Sequence, residues 1–223
     1  MKKKIKILFI GNSLTYYNFL PECVRRMLEC DGIKSDCVML TAPGKCLKYH
    51  SEHPDTKYNI LYGHYDYIVL QGVADGFYAD SFLEGGRKII REFINKTDSK
   101  AVLYNVWKLK NAPWSDQEEL DRAYRTLAAE SGALLAPCGA VWKKARRIHG
   151  VPNLYDPDNN HPSRVGTYVN AATIVYSITG RERAARLDGE GVYRDYGLDL
   201  DTARKIHAIA CKKALEARAM LRP

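Results

Sequence analysis

The feature that most constrains the fold is a repeated alternation of short apolar segments with segments of helical periodicity. Five segments rich in β-branched and apolar residues are predicted to be strands: 5–10, 35–40, 65–72, 100–107 and 132–139. The first of these, IKILFI, lacks a regular polar–apolar alternation, which is typical of a strand buried on both faces of a parallel sheet. Strands that alternate with helices predict an α/β fold with a parallel sheet between two layers of helices.

The helices are predicted from apolar spacing and from start and stop residues. Pro21 suits the first turn of a helix over 19–28, Gly180 ends another, and Ser115 with Glu118 forms a capping box that starts a third. The predicted helices are 19–28, 81–95, the one starting at Ser115, 140–148, 163–179 and 201–221. Segment 46–64 is polar and irregular, with room for a short helix, and segment 181–199 is interpreted as a surface excursion. A chain of 223 residues is expected to form one domain, residues 1–223.

Charge and cysteine content bear on partners and location. The net charge is +8 (34 Lys and Arg against 26 Asp and Glu), but apart from a basic run at 143–147 the charge is scattered. No aromatic-interleaved basic stripe is present, so we expect solvated basic faces and no nucleic-acid partner. None of the six cysteines forms a CxxC pair, which favours reduced thiols in a cytoplasmic protein.

Membrane association is not expected from the apolar runs. None approaches the ~18 residues of a membrane-spanning helix. The first run, after three lysines, is shorter than the ~7–15 residues of a signal-peptide core, so we interpret it as a first strand.

Small and polar residues follow the ends of three predicted strands. Ser13 lies in GNSLT after the first strand, Gly44 in TAPGK after the second, and Gln71 in LQGVAD at the end of the third. A late loop, YDPDNNHPS, places Asp158 and His161 three residues apart before a helix. Because ligands of open α/β sheets bind at the carboxyl ends of the strands, we expect these residues to converge there.

These residue types match the requirements of ester hydrolysis. Ser13 would supply the nucleophile, His161 the base and Asp158 the group that orients the base. The local patterns leave alternatives open, since Ser13 could cap a helix or help to bind a phosphate, Gly44 could be a turn glycine, and Asp156 competes with Asp158. The G-x-S-x-G elbow of α/β-hydrolases is absent, because GNSLT lacks the second glycine.

Three blocks together resemble the SGNH (GDSL-type) hydrolase superfamily: ILFIGNSLT, APGK and DNNHPS, in the family's order. The resemblance implies a flavodoxin-like three-layer α/β/α sandwich with a five-stranded parallel sheet. It also implies a serine esterase that needs no metal or cofactor. Ser13, Asp158 and His161 would form the triad, and the N–H groups of Ser13 and Gly44 would bind the oxyanion. A small-molecule ester with a short acyl group, such as acetyl on a carbohydrate, is the substrate that the resemblance implies.

Two positions depart from the family pattern. Asn12 stands where the family has aspartate in its first block, a position that orders the turn. Gln71 stands where the family's third block supplies an asparagine amide to the oxyanion hole. Glutamine offers the same amide donor on a stem longer by about 1.5 Å, so we predict Gln71 as the third oxyanion donor only if its backbone sits back or its side chain folds.

The remaining expectations concern the pocket and the alternatives to an esterase. Asn12, Thr15 and Trp107 are predicted pocket residues, and Tyr16, Tyr17 and Tyr78 lie near expected strand or loop ends. His50, His53 and His64 lie near Glu52 and Asp55 in a spacing that fits no standard zinc pattern, so no metal site is expected and this segment is interpreted as a lid or pocket wall. A non-catalytic flavodoxin-like module that binds a small molecule or an anion, and an acyltransferase with the same triad, both stay open. The sequence does not predict the oligomeric state.

Overall fold

The computed structural model describes residues 4–182 and 191–221. Its core is one parallel sheet with the strand order β2-β1-β3-β4-β5. The strands are β1 (Ile5–Gly11), β2 (Ser35–Thr41), β3 (Tyr67–Gln71), β4 (Lys100–Tyr104) and β5 (Leu134–Ala136). The predicted five-stranded parallel sheet is therefore confirmed.

Helices cover both faces of the sheet and complete a three-layer α/β/α sandwich. They are α1 (Ser13–Tyr16), α2 (Leu20–Cys30), α3 (Leu47–Glu52), α4 (Pro54–Tyr62), α5 (Ala79–Lys88), α6 (Trp114–Ser131), α7 (Cys138–Ala145), α8 (Arg164–Thr179), α9 (Val192–Asp195) and α10 (Leu200–Met220). Helices α3 and α6 pack with α5 in one layer, whereas α2, α7 and α10 pack with α8 in the other. The described core is one contiguous cluster of buried apolar side chains, and the single-domain organisation of residues 1–223 stays a prediction.

Burial explains the apolar patterns of the strands. The side chains from Ile7 to Ile10 are completely buried, because helices cover both faces of β1. Strand β2 lies at the edge of the sheet, and its Val38 and Met39 are exposed. The mixed polarity of the SDCVML segment reflects this edge position.

Two local predictions are wrong. Helix α6 begins at Trp114 after Pro113, and the Ser115 hydroxyl lies near the Asp116 carboxylate instead of capping the helix. Pro113 is itself extended immediately before the helix, so the first turn begins two residues earlier than a capping box with Ser115 as the N-cap would place it. Segment 46–64 is mostly helical, because α4 starts at a proline suited to a first helical turn.

Two further segments differ in detail from the expected helices and loops. Helix α5 ends at Lys88, and the chain continues as a π-helical turn (Ile89–Phe93) and a 3₁₀ turn (Ile94–Lys96). Of the predicted surface excursion 181–199, residues 183–190 lie outside the described residues. The part from 191 onward is not a plain surface loop, because α9 buries Val192 and Tyr193.

The strand order determines where a site can form. The chain runs from β1 outward to β2 and then crosses to β3 on the other side of β1. The crevice between β1 and β3, at their carboxyl ends, is therefore the topological switch point at which ligands bind in such sheets. Helix α1 begins at this crevice, two residues after β1 ends.

Other global features of the described residues are simple to state. All six cysteines are free thiols. In residues 4–182 and 191–221, no helix combines the length and the apolar character needed to cross a membrane.

Candidate active site

The turn after β1 presents Ser13 to the crevice. Asn12 is the N-cap residue of α1, and its Oδ1 accepts a hydrogen bond from the Leu14 N–H at 3.0 Å. Ser13 is thus the first helical residue and not the cap. Its hydroxyl is released from the capping role and lies with Oγ 2.7 Å from Nε2 of His161.

The loop before α8 brings His161 and Asp158 together. Asp158 Oδ1 accepts the backbone N–H groups of Asn160 and His161, both at 2.9 Å, and Oδ2 lies against Nδ1 of the His161 ring. A carboxylate can only accept here, so Nδ1 carries the proton and the Nε2 lone pair faces the Ser13 hydroxyl. Asp156, the competing acid in sequence, uses its backbone N–H to bond the His161 carbonyl instead.

Opposing effects determine the protonation of Asp158. Partial burial raises the pKa of this carboxyl, but hydrogen bonds from the His161 ring and from the backbone N–H groups of Asn160 and His161 outweigh it. The net pKa is lowered below the usual aspartate value. Asp158 is therefore an anion at neutral pH and suited to stabilise a positively charged imidazole ring.

Buried aromatic rings support the loop that carries this pair. A bridge between Tyr155 and Pro162 closes the base of the loop. Trp107 Nε1 donates to the Asn160 carbonyl at 3.0 Å, and the Trp107 ring stacks on Trp142 with centroids 3.9 Å apart. Trp107 is 1% exposed and does not line the cleft, so it holds the loop from below and is not the predicted pocket residue.

The segment after α1 contacts the other side of the loop. The Tyr17 ring lies parallel to the His161 imidazole, with centroids 4.0 Å apart and an interplanar angle of 12°. Asn18 Nδ2 donates to the Pro162 carbonyl at 2.8 Å. Asn18 and Phe19 both have positive φ (49° and 59°), a left-handed conformation that costs energy for residues with a Cβ. The backbone is therefore locally strained where the segment after α1 contacts the loop that carries His161.

A cleft of about 390 Å³ opens beside Ser13 and His161. Four short segments line it: 12–14 with 16–17, 43–44, 73–75 and 160–161. Gly44 lies in this lining with φ of +67°, a conformation that favours glycine. In the described part of the chain, the backbone N–H groups of Ser13 and Gly44 donate to no backbone acceptor. They are available to a ligand in the cleft.

The other residues that the sequence placed in or near the pocket have different outcomes. Asn12 lies in the cleft wall, with its Nδ2 donating to the Lys45 carbonyl at 3.0 Å. Thr15 is buried beneath the turn and is absent from the cleft. Tyr17 and Tyr16 line the cleft, whereas Tyr78 is outside its lining and largely exposed.

Gln71 does not occupy the place that the oxyanion prediction requires. Its side chain is completely buried and does not line the cleft. The amide oxygen accepts the Asn12 N–H at 2.9 Å and the Thr15 hydroxyl at 2.8 Å, and the amide nitrogen faces the Gly72 carbonyl. Its donor is engaged by the Gly72 carbonyl, and this arrangement does not match a third oxyanion donor.

His50 was expected in a pocket wall or lid, and it lies under the turn that carries Ser13. It is 2% exposed, and its Nε2 lies 2.8 Å from the Gly11 carbonyl, to which it must donate. Burial lowers the pKa of His50, so the ring is neutral near pH 7. Within the described residues, no group of three or more His, Cys, Asp or Glu side chains is placed to hold a metal ion.

Sequence reasoning missed the loop after β3. Residues 73–75 and Asn160 line the cleft, although none was predicted to do so. The only available signal was position, because 73–75 directly follow the carboxyl end of a strand next to β1.

Comparison with known proteins supports the fold. A DUF4886 family protein from Bacteroides uniformis is 18% identical, with a TM-score of 0.74 over 96% of this chain and 95% of that protein. Axe2, an acetylxylan esterase from Geobacillus stearothermophilus, is 15% identical, with a TM-score of 0.60 over 89% of this chain and 98% of Axe2. EstA, a psychrotrophic esterase from Pseudoalteromonas sp., is 12% identical, with a TM-score of 0.58 over 78% of this chain and 97% of EstA. No protein-family model and no curated protein matches the sequence.

Proposed function

We propose that this chain is a serine esterase of the SGNH type that hydrolyses carboxylic esters with a short acyl group. The observation that supports the proposal most strongly is the continuous hydrogen-bonded series from Ser13 Oγ to His161 Nε2 (2.7 Å) and from His161 Nδ1 to Asp158. The series lies at the carboxyl ends of β1 and β3, beside an open cleft. Ser13 and His161 are 148 residues apart, so tertiary packing, and no local turn, brings them together.

The reaction follows from the order of these groups. Ser13 Oγ attacks the ester carbonyl carbon and passes its proton to Nε2 of His161, while Asp158 stabilises the charged ring. The negative charge that develops on the carbonyl oxygen is stabilised by the N–H groups of Ser13 and Gly44. Collapse of the tetrahedral intermediate releases the alcohol, which takes the proton from Nε2. Water, deprotonated by His161, then attacks the acyl carbon; the bond to Ser13 Oγ breaks, Oγ takes the proton back from Nε2, and the acid is released.

The substrate class is inferred from cleft size and lining. A volume of about 390 Å³ is at the small end of ligand pockets, which span about 300–1,000 Å³. The cleft mixes Tyr16, Tyr17 and Pro43 with the polar groups of Asn12 and Asp75. A small acyl group on a polar alcohol, such as an acetylated sugar, fits this mixture better than a long acyl chain. The structural similarity to an acetylxylan esterase agrees with that class.

A labelling experiment tests the proposal without knowledge of the natural substrate. A fluorophosphonate is expected to modify Ser13 in the native protein, because His161 activates this hydroxyl. Intact-mass and peptide mass spectrometry would read one adduct on the peptide containing Ser13. His161→Ala, which leaves the serine without its base, is expected to label at least about 100-fold more slowly. A non-catalytic binding module would stay unlabelled, and that outcome would refute the esterase.

Tyr17 is expected to assist the base. Its ring covers one face of His161, restricts rotation of the imidazole and attracts the charged ring of the transition state, a contact worth about 0.5–2 kcal/mol. Tyr17→Leu should lower kcat for a short-chain aryl ester by about tenfold, and Tyr17→Phe, which keeps the ring, by less than about twofold. Tyr16→Leu is the matched control, since Tyr16 lines the same cleft but its ring does not stack on His161. Equal losses of kcat in Tyr16→Leu and Tyr17→Leu would contradict a role through the base.

A further inference from the structure

The buried amide of Gln71 meets the turn that carries the nucleophile. Its oxygen accepts hydrogen bonds from the Asn12 N–H and from the Thr15 hydroxyl, at 2.9 and 2.8 Å. The orientation of the amide is determined by the first of these, because a backbone N–H can only donate. One side chain of β3 thus binds the residues on both sides of Ser13 in the sequence.

The contact between the turn and this amide is too close for any side chain at Gly11. A Cβ at Gly11 would lie 2.4 Å from Gln71 Oε1 and 2.7 Å from Thr15 Oγ1. The Gly11 carbonyl also accepts a hydrogen bond from the buried His50, at 2.8 Å. The peptide groups that lead into Ser13 are therefore held by fully buried polar partners from β3 and α3.

The cleft already offers oxyanion donors that do not involve Gln71. Ser13 and Gly44 line the cleft and, in residues 4–182 and 191–221, their backbone N–H groups donate to no backbone acceptor. Moving the Gln71 amide into the cleft would break its bonds to Asn12 and Thr15. It would also leave the buried Asn12 N–H without this partner, which is unfavourable for a buried donor.

We propose that Gln71 and Thr15 are positioning residues that hold the Ser13 turn from below, and that the oxyanion is bound by backbone N–H groups alone. The inference rests on the proposed esterase function and concerns how its nucleophile is held. Misplacement of a reacting group by about 1 Å costs about 100-fold in rate. The bond from Thr15 to Gln71 therefore affects the chemical step although neither side chain lines the cleft.

The test measures kcat and KM of a short-chain aryl acetate, together with urea unfolding. Thr15→Val removes only the hydroxyl that Gln71 binds and should lower kcat about tenfold with KM changed less than about twofold. Thr15→Ser keeps the hydroxyl and should restore kcat to within about threefold of wild type. Thr56→Val is the matched control: Thr56 is also buried and lies on α4, outside the cleft lining, but its hydroxyl has no hydrogen-bond partner among residues 4–182 and 191–221.

A double-mutant cycle separates positioning from direct catalysis. Gln71→Met should lower kcat about 100-fold, and adding Thr15→Val should cost no further rate, since Thr15 acts through Gln71. If Gln71 is an oxyanion donor that swings into the cleft, Thr15→Val frees it, kcat is unchanged or higher, and the inference is overturned. Additive losses in the double variant would also overturn it. Of the single variants Thr15→Val and Gln71→Met, the one whose urea unfolding matches that of the wild-type protein provides the decisive comparison of kcat.

Failure of the inference can be told apart from failure of the function. Fluorophosphonate labelling of the wild-type protein reports the esterase site by itself. Labelling of wild type together with unchanged kcat in Thr15→Val would refute the positioning role and leave the esterase in place. Absence of labelling in wild type would refute the esterase and, with it, the positioning role.

Discussion

Replacing Ser13 by alanine is expected to lower kcat for a short-chain aryl ester by at least about 10⁴-fold. The variant loses the one hydroxyl that lies 2.7 Å from the imidazole, and no other described side chain provides a nucleophile in contact with His161 Nε2. Little effect on folding is expected, because Asn12, and not Ser13, caps α1. Steady-state hydrolysis of an aryl acetate, with active protein quantified by its unfolding transition, gives the comparison.

Ser115→Ala provides the control for this experiment. Ser115 is exposed on α6, and within the described residues its hydroxyl makes a single hydrogen bond, to the neighbouring Asp116 carboxylate. Its replacement should leave kcat and KM at the wild-type values. Equal rates in wild type and Ser13→Ala would contradict the assignment of the nucleophile and with it the proposed mechanism.

Asp158→Asn is expected to lower kcat by roughly 10³–10⁴-fold while the fold is kept. The carboxylate compels Nδ1 of His161 to carry the proton, which leaves Nε2 free to accept from Ser13. An asparagine amide can donate to Nδ1 instead and favours the tautomer with its proton on Nε2, where it faces the hydroxyl. The loss should appear in kcat more than in KM, because Asp158 is absent from the cleft lining.

The neighbouring acid supplies a matched control. Asp156→Asn makes the same change two residues earlier in the loop, where the backbone, and not the carboxylate, bonds to His161. We expect activity within about twofold of wild type. Should Asp156→Asn lose as much activity as Asp158→Asn, the loop as a whole would be responsible, and the specific role of Asp158 would be refuted.

Local patterns predicted local structure well. Apolar runs with no regular alternation indicated buried strands, and the run from Ile7 to Ile10 is completely buried. The helix predicted over 163–179 is α8, which begins one residue later, after its N-cap Ser163, and ends before Gly180 as predicted. The capping box at Ser115 failed because a proline immediately before the helix defined the start instead. Two start signals can lie within a few residues of each other, and the backbone conformation at those residues decides which of them begins the helix.

In the candidate site, too, features within one loop were predicted from the sequence, whereas the contacts of Gln71 with a distant segment were not. The spacing of Asp158 and His161 was informative because three residues of one loop determine both positions. Gln71 was assigned to the cleft on the strength of its residue type and its place at a strand end. The position of its side chain depends on Asn12 and Thr15, more than 50 residues away in the sequence. The Asn12 N–H and the Thr15 hydroxyl both donate hydrogen bonds to the Gln71 amide oxygen. The side-chain amide of a glutamine next to a cleft can point into the cleft or pack beneath its floor. No local sequence pattern distinguishes these two orientations.

The sequence by itself determined the class of fold and the residue types available at the carboxyl ends of β1, β2 and β3. These properties follow from the periodicity of each segment, which depends on which of its faces must be buried, and from the order of the segments along the chain. Only the tertiary structure decided that the hydroxyl of Ser13 meets His161, that Tyr17 covers the imidazole, and that Gln71 supports the turn from below. These contacts join segments up to 148 residues apart. Their geometry depends on the packing of whole layers against one another, to which each local segment contributes only a part.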